Sequence, residues 1–126
     1  MVTFRFGVTG NNDEDFLAST DDAATIKAAR DQLALPEEKR KRHLTGRIVA
    51  SQGDNLHWRW RFVDSSWQFA DISMEVCDAV PSYVEAHLDE WLEQGRFCPW
   101  ACHVKGEVSG VGEIQEGCRQ EIGTGR

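Results

Sequence analysis

The segment Leu56-His57-Trp58-Arg59-Trp60-Arg61-Phe62 constrains this chain most. Strict alternation of large apolar and polar side chains is the signature of a half-buried strand. Leu56, Trp58, Trp60 and Phe62 then face a core, and His57, Arg59 and Arg61 face outward. So much aromatic bulk needs a broad apolar partner surface, so the rest of the chain must supply further strands and helices to cover it.

The remaining patterns supply them. Val2, Phe4, Phe6 and Val8 alternate with Thr3, Arg5, Gly7 and Thr9, which predicts a first strand. Gly10-Asn11-Asn12-Asp13 predicts a turn, with Phe16–Ser19 pairing back as a hairpin. Thr20 or Ser19 is placed to cap a helix whose buried stripe is Ile26, Ala29 and Leu33, ended by Pro36. Residues 43–51 alternate again, with Leu44, Gly46 and Ile48 on one face and Thr45 and Arg47 on the other. After the Trp-rich strand, Trp67 and Phe69 begin a bent continuation. Ile72, Met74 and Val76 form the buried side of a further strand, with Ser73 and Glu75 on its other side. Pro81 and the Ser82–Glu85 capping box open a second helix with Val84, Leu88, Trp91 and Leu92 as its core stripe, and Gly95 stops it. Residues 102–108 give a last strand.

The predicted order is β-β-α-β-β-β-α-β. It describes one α+β domain over residues 1–108, a mostly antiparallel sheet with two helices on one face, and a Gly-rich tail over 109–126. The 126 residues suit a single domain. No apolar run approaches the ~20 residues of a membrane helix, so no membrane insertion is expected. With 14 Lys and Arg against 21 Asp and Glu, a formal net charge of −7 opposes non-specific nucleic-acid binding. The basic run Lys39-Arg40-Lys41-Arg42 has no interleaved aromatic and reads as an exposed loop or a fraying helix end.

Cys77, Cys98, Cys102 and Cys118 allow three pairings. The favoured pairs are Cys77–Cys98, flanking one helix, and Cys102–Cys118, tying down the tail. Two disulfides imply an extracellular domain; the opening residues show no signal-peptide pattern, which fits a cytosolic protein or a mature secreted domain with an added start Met. A zinc site from Cys98, Cys102 and His103 with Cys77 matches no standard spacing, and four buried thiols in a cytosolic chain is the other reading.

No catalytic motif appears. There is no G-x-S-x-G elbow or phosphate loop, and His43, His57, His87 and His103 are scattered. The expectation is therefore a non-enzyme without cofactor or metal. If the strand phases hold, Arg5, Arg47, Arg59 and Arg61 emerge on the sheet face away from the helices, beside His57. Guanidinium forks bind carboxylate, phosphate or sulfate. Trp58, Trp60 and Trp91 belong to core stripes, which leaves Trp67 and Trp100 as candidate exposed platforms. The candidate ligand-binding set is Arg5, Arg47, His57, Arg59, Arg61, Trp67 and Trp100.

The stretch Glu75-Val76-Cys77-Asp78-Ala79-Val80-Pro81-Ser82-Tyr83-Val84-Glu85-Ala86-His87-Leu88-Asp89-Glu90, followed by Cys98-Pro99-Trp100, resembles a family of small secreted domains found in bacteria, amoebae and fungi. Bacterial members are described as calmodulin-binding-like. Leu44-Thr45-Gly46-Arg47-Ile48-Val49 and the preceding helix resemble it more loosely. Members carry equivalents of Cys77 and Cys98, which supports that pairing, while Cys102 and Cys118 look like additions. The length and Trp-rich acidic make-up are also similar to those of a small glycan-binding protein secreted by a mushroom. The resemblance implies a secreted, non-enzymatic recognition domain. The expected function is lectin-like binding of a glycan or glycoprotein, as a homodimer. The alternative is a protein-binding or inhibitory domain: a protease inhibitor presenting the loop Phe97–Ala101, or a calmodulin-type partner binder.

Overall fold

The computed structural model describes residues 1–41, 43–70 and 77–108. The chain is α+β with antiparallel sheets, as the patterning predicts. Its elements run β1 (Val2–Val8), β2 (Asn11–Thr20), α1 (Ala23–Leu33), a 3-10 turn (Glu37–Lys39), β3 (Leu44–Ala50), β4 (Trp60–Phe62) and β5 (Gln68–Phe69). Then follow α2 (Pro81–Ala86), α3 (Leu88–Gln94), β6 (Arg96–Phe97) and β7 (His103–Val108). The strand expected at Ile72, Met74 and Val76, the tail and Cys118 lie outside the described residues.

The strands form two sheets rather than one. The first has the order β2-β1-β7, and in the second β3 pairs with β4, β5 and β6. The inner faces meet through aromatic rings: Phe6 against Trp67 at 5.1 Å between centroids, and Phe16 against Trp60 at 5.5 Å and Phe62 at 5.7 Å. Rings of this size need a floor without side chains. Gly46 supplies it, because a Cβ there would lie 2.7 Å from the Phe62 ring and 2.8 Å from Trp67 Cβ. The strand phases read from sequence hold at Phe4, Phe6, Leu44, Ile48, Trp58, Trp60 and Phe62, all buried.

Several local expectations are corrected. The first hairpin turns at Thr9-Gly10, with Gly10 at φ +77°, and the strand starts at Asn11 rather than Phe16. Asp22 caps α1, its carboxylate accepting from the Thr25 backbone N–H at 2.9 Å. The second predicted helix is two, broken at His87 (φ −125°), and the capping box does not form. Glu85 turns instead to Arg59, and the Ser82 N–H donates to Glu14 across to β2. The Trp-rich strand is regular only over its last three residues. Upstream, Asn55 is buried and works as a clamp: its Oδ1 accepts from Leu17 N–H and its Nδ2 donates to the Trp60 carbonyl, each at 2.7 Å.

Cys77 and Cys98 form the expected disulfide, which removes both from the zinc alternative. Among the described residues Cys102 is a free, fully buried thiol, and burial, followed by the Glu14 charge, pushes it up to about 12; its expected pairing with Cys118 lies outside the described residues. Among the described residues no group of His, Cys, Asp and Glu could hold a metal ion, and no helix is long and apolar enough to cross a membrane.

Candidate functional site

The two-sheet architecture divides the expected binding set. Arg5 sits on the outer face of the first sheet, where its Nε donates to buried Asp15 at 2.8 Å. Lys105 donates to the other oxygen at 2.7 Å. Arg59 precedes β4 and is held by Glu85. Burial pushes the Glu85 carboxyl up, but the hydrogen bonds and charge of Arg59 outweigh this and hold it below the usual carboxylate range. Arg61 shares the outer face of the second sheet but is taken by Asp54 at 3.3 Å and Asp64 at 3.7 Å. His57 is exposed and lies against Trp58, with centroids 4.0 Å apart. Trp67 is no platform. It is 2% exposed, wedged between the sheets, with its indole N–H donating to the Ser19 carbonyl.

Two members of the set do meet, along an edge that includes residues not anticipated. In the β3–β6 pairing Gly46 lies opposite Phe97 and Arg47 opposite Arg96. The Leu44 N–H donates to the Pro99 carbonyl, so the same register continues beyond the strand. It sets Thr45 opposite Cys98, with Oγ1 and Sγ 3.2 Å apart, and His43 opposite Trp100, with ring centroids 5.2 Å apart and planes at 87°. Alternation sends Leu44, Gly46 and Phe97 inward. Arg47, Thr45 and His43 from one strand, and Arg96 and Trp100 from the other, form an outward row, with Cys98 buried between Arg96 and Trp100. From Arg47 to His43 it runs about 13 Å, at ~3.3 Å per residue.

The row has a cationic end and an aromatic end. Arg47 is exposed, and its guanidinium has no partner among the described residues. Among the described residues Arg96 donates only to Thr45 Oγ1, at 3.1 Å. The other described arginines are occupied: Arg30 grips Glu107 with two nitrogens, and Arg40 donates to the Leu33, Leu35 and Val104 carbonyls. At the far end Trp100 is half-buried, and its backbone N–H is fixed by the Asp78 carboxylate at 3.0 Å. Its indole nitrogen is buried without a partner among the described residues. The Cys77–Cys98 disulfide lies at the middle of the row and ties β6 to the segment before α2. Sequence reasoning misses Arg96 because β6 has two residues and no readable period, and His43 because it adopts a left-handed φ of +69°.

Residues 1–110 match the BP-74 N-terminal domain, a span that takes in every described element. The chain belongs to the BP-74 N-terminal domain family. No curated protein and no solved structure matches it. In this BP-74 N-terminal domain the β3–β6 edge is therefore read from its own geometry.

Proposed function

We propose that the domain is a secreted, non-catalytic recognition module that binds a short acidic glycan along the β3–β6 row. The observation that carries this reading is the Arg47–Arg96 pair. Two cations stand directly opposite one another with no carboxylate paired to either among the described residues, in a protein with seven more acidic than basic residues. Guanidinium forks match a uronate carboxylate or a sulfate ester. Thr45 and Asp78 add hydrogen-bonding groups suited to sugar hydroxyls. Trp100 offers a ring on which the apolar face of a sugar packs. The disulfide supports an oxidising compartment. The inhibitory-loop alternative is less favoured, because Phe97, Cys98 and Pro99 are buried and only Trp100 and Ala101 reach outward.

A glycan array comparing sulfated, uronate-bearing and neutral oligosaccharides tests the reading. Binding to acidic glycans alone is expected, weakening with salt. Arg47→Ala and Trp100→Ala should each cost about tenfold, or ~1.4 kcal/mol. Arg5→Ala should cost nothing in affinity. No acidic glycan above background, or full binding by Arg47→Ala, overturns the proposal.

A further inference from the structure

A second surface carries the opposite charge. Tyr83, Glu90, Trp91, Glu93 and Gln94 line an open depression of about 620 Å3 on α2 and α3. Tyr83 is 50% exposed, and none of the described elements covers its ring. Its ring meets Trp91 at a right angle, with centroids 6.4 Å apart at 89°. The His87 ring stacks on Tyr83 at 4.1 Å, and its Nδ1 lies 3.0 Å from the Tyr83 carbonyl, which holds the aromatic corner in place. Glu90 and Glu93 stand on the rim, and no Lys or Arg lines the depression. Residues 81–94 hold four acids and no Lys or Arg. Arg59 occupies Glu85, while Asp89, Glu90 and Glu93 make no ion pair among the described residues.

We infer that this depression docks a lysine- or arginine-bearing segment of a partner protein. A ring face beside carboxylates attracts an ammonium or guanidinium through both the ring quadrupole and direct charge. The depression is too wide and open to enclose a lone small cation, so the backbone of a chain must supply the remaining contacts. Tyr and Trp are also the residues most enriched at the centres of protein interfaces.

The test is titration of the full chain with a hexalysine peptide, followed by calorimetry and by the Trp91 indole N–H resonance. Saturable binding that shifts this resonance is expected. Tyr83→Ala and Tyr83→Leu, which leave net charge unchanged, should each weaken it about three- to fivefold. The Glu90→Gln/Glu93→Gln double variant should weaken it about tenfold. Arg47→Ala should leave it intact, so the result stands apart from that of the glycan array. Urea midpoints confirm that each variant folds. Three results would overturn the inference. One is loss that follows charge alone, with Tyr83→Leu binding like the wild type. Another is butylammonium binding as tightly as the peptide. The third is a sedimenting dimer dissolved by both Arg47→Ala and the double Gln variant, which would make a second copy the occupant.

Discussion

A row that binds an anion, as proposed for β3–β6, should destabilise the empty domain, and Arg47 allows that cost to be measured. Its guanidinium has no partner among the described residues, so replacing it breaks no visible contact. It faces Arg96 directly across the β3–β6 pair. Like charges opposite one another in a sheet are unfavourable, and two unit charges about 5–8 Å apart in water repel by ~0.5–0.8 kcal/mol. Arg47→Gln should therefore stabilise the protein by about 0.5 kcal/mol, against the usual sign for a point mutation. Arg47→Glu turns repulsion into attraction and should gain about 1 kcal/mol, or roughly 3–5 °C in Tm for a domain of this size. The assay is urea unfolding of the three proteins at about 0.01 M and about 1 M salt, where the screening lengths are ~30 Å and ~3 Å. The gain should be present at low salt and almost vanish at high salt. A destabilised Arg47→Glu, or a gain indifferent to salt, refutes the reasoning.

Other perturbations probe the scaffold. Asp15 is 3% exposed between Arg5 and Lys105, and Gly7 leaves room for it, since a Cβ there would lie 2.1 Å from its Oδ1. Asp15→Ala leaves the Lys105 ammonium, itself 13% exposed, with the neutral Asn12 amide in place of its carboxylate, and should cost about 2–4 kcal/mol by urea unfolding, with Lys105→Met restoring part of it. Hydrogen bonds from Arg30 hold Glu107 below its ordinary value of 4.5, and a hydrogen bond from His103 does the same for Glu37. Depressed carboxylates give stability that is complete above pH ~4.5 and lost as pH falls through the folded values. An acid titration of Glu107→Gln should accordingly show a shallower loss than the wild type. Cys102 should resist iodoacetamide at pH 8 in the folded protein, since burial pushes its thiol up to about 12, and should label in guanidinium without reductant. Failure to label under those conditions would show that it is disulfide-bonded.

What can be read from sequence follows the length of each periodic run. β1 and β3 repeat every second residue for seven residues, enough to fix which side chains face inward. The Trp-rich segment reads as one strand, but Leu56 takes a left-handed φ of +53° and the buried Asn55 replaces the ladder there with side-chain bonds. No period reports an amide used in this way. The division into two sheets is equally hidden. Trp67 reads as exposed only because it follows the Asp64-Ser65-Ser66 break. In three dimensions Gly46, distant in sequence, opens the space that buries it. The arginines are legible individually. Their grouping is not, because pairing with Asp15, Glu85, Asp54 and Asp64 depends on which elements meet.

The same contrast separates structural from functional chemistry. Left-handed residues and unpaired polar atoms occur at several places in this fold. Ser65 at φ +64° is compensated, since its N–H donates to the Ser19 carbonyl and its Oγ accepts from the Asp21 N–H. The unpaired indole nitrogen of Trp60 and Nδ1 of His103 belong to side chains fully enclosed in the core, beyond the reach of any ligand. The β3–β6 row differs because three such costs fall on one surface edge. They are the left-handed His43, the opposed Arg47 and Arg96, and the unpaired indole nitrogen of half-buried Trp100. Each conflicts with the local rules that the rest of the chain obeys, and conflicts of that kind gather where a protein holds groups ready for something other than itself. An anion between the guanidiniums would turn the largest of these electrostatic costs into a gain, so an acidic glycan bound as proposed should also raise the unfolding midpoint by mass action.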